Sequence, residues 1–176
     1  MSEQSQINSA FFEPGSEISL PATLKTLAIE ETPPDRIVLL SGDGREAELP
    51  VVNCVSVTRP GCVVFGLAPN RWLVVYDDNE GSLDEFSSTR IFASDHTDAW
   101  AVMTVSGGTA LEVLQALCPV DMRRFSFSDE HCFQSHIAGS HVLVCKDDLK
   151  KGFRIFVPRS SGRAVLENVY SMAERV

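Results

Sequence analysis

Three of the four histidines in this 176-residue chain, His131, His136 and His141, fall close together with Cys132 and Cys145 nearby. Imidazole and thiolate are the side chains that hold transition metals, so the first question is whether these groups meet. That depends on how two β-rich runs, 132–137 and 141–146, pair. With Gly139-Ser140 as a tight two-residue turn, Ala138 pairs with His141 and His136 with Leu143. His136 and His141 are then diagonal neighbours on one face, about 7 to 8 Å apart. An ion held about 2.1 Å from each nitrogen would need bending and further ligands to bridge them, so no metal is expected. His131 points the other way. Phe133, Ile137, Val142 and Val144 form the core side, which leaves Cys132, Gln134, His136 and His141 on a mixed face open to solvent or a partner.

Ser94-Asp95-His96-Thr97-Asp98 gathers carboxylates, hydroxyls and an imidazole. Such a group can act as a general base or grip a cofactor, and Asp95 and Asp98 are the cofactor-binding candidates. Its plain structural reading is a solvated turn closed by Asx-type hydrogen bonds. Gly107-Gly108 before a helix resembles an anion-cradling N-terminus, but the third glycine, lysine and acidic residue of the nucleotide fingerprints are missing. A tight strand-to-helix turn accounts for the pair. No serine lies in a G-x-S-x-G elbow, and no catalytic residue is nominated. Asp147-Asp148 with Lys150-Lys151-Gly152 reads as a charged hairpin turn.

The elements that must position these groups follow from periodicity. Residues 1–35, with Pro14-Gly15, Pro21 and Pro33-Pro34, read as an N-terminal arm, and 36–176 as a single domain. A short strand over 36–40 ends at the turn residues 41–44. Runs 62–67 and 71–76 form a hairpin whose continuous hydrophobicity implies burial on both faces, with Trp72 in the core. Leu83 and Phe86 suggest a short helix over 81–89. Residues 99–105 form a strand. Ala110, Leu111, Leu114, Leu117 and Cys118 then repeat at helical spacing behind a Ser106 cap, and Pro119 stops the helix. After the 132–146 hairpin come a strand over 153–157 and a last helix capped by Ser160 or Ser161, with Val165, Leu166, Val169, Tyr170 and Ala173 as its inner stripe. The order from residue 99 is strand, helix, three strands, helix. The expected fold is α+β, a mainly antiparallel sheet with split β-α-β, ferredoxin-like units and helices on one face.

A hydrophobic content of 44% with 22% charged residues describes a folded globular chain. The net charge of -9, from 15 basic and 24 acidic residues, repels phosphate, so neither nucleic acid nor an anionic membrane is an expected partner. The apolar runs are far shorter than the roughly 20 residues of a membrane helix, and Met1-Ser2-Glu3-Gln4 does not begin like a signal peptide. A cytoplasmic location is expected. The five cysteines contain no C-x-x-C pair and read as reduced, small buried hydrophobes.

Several blocks together resemble one family. Leu67-Ala68-Pro69-Asn70-Arg71-Trp72-Leu73, the strand-glycine-helix unit from Val105 to Leu117, Cys118-Pro119-Val120-Asp121-Met122 with Phe125, and Phe153 to Ser160 are similar, in order and spacing, to the gamma subunit of heterotetrameric sarcosine oxidase. That family is related to the aminomethyltransferase, or glycine cleavage T-protein, folate-binding fold, and the resemblance spans 49–173. The chain departs from it at 94–99, where S-D-H-T-D-A replaces an Asp-x-Ser step followed by a basic residue. The resemblance implies a non-catalytic subunit of a complex that demethylates sarcosine to glycine and passes the one-carbon unit to tetrahydrofolate. FAD, FMN and NAD would reside in the complex, with none bound by this chain alone, and the partners would be alpha, beta and delta subunits. Trp100, His136, His141 and Arg159 are the candidates for the partner interface. The alternative is a free-standing folate-binding or aminomethyltransferase-like protein.

Overall fold

In a computed structural model of the chain, the described residues are 9, 11, 18, 20–44, 49–59, 61–78, 81–83, 85, 86, 88–121, 132–147 and 150–176. They form two units. The first draws on Met1–Pro33, Trp100–Phe127 and Ser135–Val176, and the second on Pro34–Ala99 and Ser128–Gln134. Sequence reading placed one domain over 36–176 behind an arm. The structure instead weaves residues 22–31 of that arm into a sheet as strands β1 (Ala22–Leu24) and β2 (Leu27–Glu31). The alternation of buried Leu27 and Ile29 with Ala28 and Glu30 drives β2 inward on one side.

The six-stranded sheet runs β1-β2-β8-β11-β10-β9, where β8 is Trp100–Gly107, β9 Cys132–Ile137, β10 Ser140–Asp147 and β11 Gly152–Pro158. Helix α1 (Ala110–Leu117) follows β8, and α2 (Gly162–Arg175) follows β11. Both helices touch β8, β11 and each other, so they share one face of the sheet. Ala110, Val113 and Leu114 of α1 and Val165, Leu166, Val169 and Ala173 of α2 are buried, which is the stripe that the helical spacing requires. The expected element order is present, but β11 and β10 together fill the gap between β8 and β9. A simple split β-α-β unit has only one strand there. The α1 cap is Thr109, because β8 continues through the expected cap, Ser106, to Gly107.

The five-stranded sheet of the second unit runs β4-β5-β6-β3-β7: Val55–Arg59, Cys62–Ala68, Arg71–Tyr76, Arg36–Gly42 and Ile91–Asp95. Val38, Leu40, Cys62, Val64, Trp72, Val74, Tyr76 and Ile91 form one core cluster, against which Leu49, Leu83, Phe86 and Ala93 pack. Burial of all five residues from Trp72 to Tyr76 matches the continuous apolar run. Each such side chain contributes about 1.5–3 kcal/mol on burial. The helix expected over 81–89 is absent among the described residues. Leu83 and Phe86 reach the core from bends, anchored where Arg36 Nη1 donates to the Gly81 carbonyl at 2.7 Å and the Tyr76 hydroxyl to that of Ser82 at 3.2 Å.

Candidate functional site: one end of the six-stranded sheet

The β9–β10 turn falls at Ala138-Gly139, both with positive φ (53° and 76°), one residue before the expected Gly139-Ser140. Such a two-residue turn matches strand twist and sets Ile137 opposite Ser140 and His136 opposite His141. Register therefore slides by two residues, which leaves every side chain on its expected face but turns a diagonal pair into a direct one. The two imidazoles stand edge to face with centroids 5.4 Å apart. Phe133, Ile137, Val142 and Val144 are buried, and His136 and His141 are exposed. Partial burial, and secondarily the neighbouring His136, hold the His141 pKa below its ordinary value. His131 lies outside the described residues.

The same row continues across the sheet. Leu143 is paired with Phe156, so His141 falls opposite Pro158 two residues on, and Pro158 is paired with Trp100 in β8. Paired positions share a face, so His136, His141, Pro158 and Trp100 form a line over four neighbouring strands at one sheet end. Arg159, exposed, opens the 3-10 turn Arg159–Ser161 that leads into α2. The structure thus gathers all four partner-interface candidates in one place. The sequence named them separately, and only the pairing register unites them.

Asp95 and Asp98 sit in the second unit, at the end of β7 and in the 3-10 turn Thr97–Ala99. The Asp95 carboxylate accepts from the Thr97 amide at 2.9 Å and the Thr97 hydroxyl at 2.7 Å, and the Thr97 hydroxyl accepts from the Ile37 amide at 3.0 Å. These bonds, the hydroxyl one first, lower the Asp95 pKa. The arrangement is an Asx turn that fastens the end of β7 to β3.

The glycine pair is equally occupied. Gly107 has φ 108°, and a Cβ there would lie 1.9 Å from the Thr26 carbonyl oxygen, while the Gly108 amide donates to that same oxygen at 3.1 Å. The amide that an anion would need is used up on the β1–β2 turn.

Trp72, 7% exposed, donates from Nε1 to the Pro50 carbonyl at 2.8 Å and is core, as its sequence context indicated. The cysteines are free thiols, and burial raises that of Cys118 and pushes Cys132 up to about 12, with Cys54 adding a smaller push at Cys132. Among the described residues no three His, Cys, Asp or Glu side chains come together as a metal-ligand set. No helix among them is long and apolar enough to cross a membrane.

Sequence reasoning missed a groove of about 270 Å³ lined by Leu20, Pro21, Glu30, Glu31 and Pro33. It lies where only an arm was expected, and Glu30 on its rim is ion-paired to Lys150 at 2.8 Å.

No family model matches the chain, and no curated protein does. Solved structures do. A chain of the heterotetrameric sarcosine oxidase from Corynebacterium sp. U-96, in complex with pyrrole 2-carboxylate, is similar with a TM-score of 0.75 at 18% identity, over 88% of this chain and 87% of that one. The glycine cleavage system aminomethyltransferase T from Bartonella henselae is similar with a TM-score of 0.60 at 14% identity, over 87% of this chain but 50% of that one. The chain therefore has an α+β fold of the kind found in sarcosine oxidase and aminomethyltransferase T, and it spans about half of the latter.

Proposed function

We propose that this protein is a gamma-type, non-catalytic subunit of a sarcosine-oxidising complex. One observation carries the reading: the match takes nearly equal shares of this chain and of a chain from a heterotetrameric oxidase, so the two have nearly the same length as well as the same fold. Amine oxidation needs a cofactor to take the electrons, and the sequence carries no nucleotide fingerprint, so in this reading the partners supply it. In this reading flavin, dinucleotide and tetrahydrofolate bind to alpha, beta and delta partners in the cytoplasm. Trp100, His136, His141 and Arg159 form part of the contact surface, since aromatic side chains and arginine anchor interfaces most often.

Co-expression with the flavin-bearing large subunits tests this. A tagged chain should retain them in stoichiometric amount. If it elutes alone and instead binds tetrahydrofolate saturably at micromolar concentration, the chain is a free-standing folate-binding protein.

A further inference from the structure

The hairpin tip sets two imidazoles side by side, which allows chemistry beyond a protein contact. His136 and His141 face each other across β9 and β10, exposed, with ring centroids 5.4 Å apart. A metal bonded at about 2.1 Å to one imidazole nitrogen lies about 3.2 Å from that ring's centroid, so two rings at a tetrahedral angle about one ion have centroids about 5.3 Å apart. The observed spacing matches this without moving the backbone. Histidine χ2 is a soft, broad torsion, so exposed rings can turn from edge-to-face to aim one nitrogen each at a common point.

We infer that His136 and His141 form a surface site for one divalent transition-metal ion of the zinc class, with water in the open coordination positions. Two further observations fit. The turn at Ala138 and Gly139 fixes the register and hence the spacing before any ion arrives. The chain's net charge of -9 favours a cation at its surface. With two protein ligands the site is an exchangeable one, unlike a closed four-ligand structural zinc centre. The inference does not depend on the subunit reading.

Zinc chloride titrated into chelator-stripped full-length chain, in competition with a chromophoric indicator, should show one equivalent bound with Kd below about 100 μM. His136→Ala and His141→Ala should each weaken it at least tenfold, with unchanged circular dichroism, and His96→Ala should not. In the unaltered protein, Ni²⁺ should broaden the amide resonances of 136–141 before any others. Weaker zinc binding, indifference to either hairpin substitution, or first broadening elsewhere, at His131 for example, overturns the site.

Discussion

Gly107 and Gly108 are adjacent and chemically identical, yet the structure assigns them opposite tolerance to a methyl group. At Gly107 the φ of 108° is a region that only glycine occupies easily, and forcing an L-residue there costs about 1–3 kcal/mol. The added Cβ would also lie 1.9 Å from the Thr26 carbonyl oxygen, where Leu27 pairs with Gly107, so β2 must part from β8. The two effects together put Gly107→Ala at roughly 3 kcal/mol or more, a fall of about 6–12 °C in Tm for a chain this size. At Gly108 the nearest atom to a new Cβ is Thr26 Oγ1 at 3.8 Å, and φ is not positive. Gly108→Ala should leave stability unchanged or raise it by up to about 1 kcal/mol through the unfolded chain. Urea and thermal denaturation followed by circular dichroism measure both. If Gly107→Ala melts with the parent, or Gly108→Ala falls as far, the turn geometry argued for this pair is wrong.

Trp72→Phe removes the Nε1 bond and strands the Pro50 carbonyl, so urea denaturation should report a loss of about 2–3 kcal/mol. Arg163 donates through Nη1 to the carbonyls of Phe11 at 3.0 Å and Ile18 at 3.2 Å, so Arg163→Ala should speed limited proteolysis before residue 20 while destabilising the chain by only about 1–2 kcal/mol. With its thiol pushed to about 12, Cys132 should resist alkylation at pH 8 in the folded protein, while half-buried Cys54 labels first, as peptide mass spectrometry would show. Because hydrogen bonding lowers the Asp95 pKa below 3.8, its contribution is complete above that pH and lost as pH falls through the folded value. Acid denaturation of Asp95→Ala should therefore be less steep there than that of the parent.

Elements with a buried stripe were legible in the sequence. Both helices, the β5–β6 hairpin and strands β10 and β11 combine strong periodicity or continuous hydrophobicity with an apolar core face. Of the strands that escaped notice, β7 and β1 lack that signal, whereas the short alternation of β2 was hidden among the prolines of the arm. In β7 only Ile91 is buried and Phe92 is 73% exposed, so an edge strand held by its ladder to β3 shows no alternation. β1 has three residues and takes its place through pairing with β2. Leu83 and Phe86 misled because two core anchors in an irregular segment can share helical spacing. The interface candidates were named from residue type, but their alignment was hidden. Ala138 does not advertise a positive φ, and the two-residue slide that it permits decides whether His136 meets His141.

The central claim is that this chain assembles with larger redox-bearing subunits. Sedimentation velocity of the chain mixed with the flavin-bearing subunits, followed by flavin absorbance, tests it most directly. One faster boundary containing both components is expected, shifted back toward the free species when Trp100→Ala and Arg159→Ala are combined. Separate boundaries for the unaltered chain and the flavoprotein at micromolar concentration would contradict it.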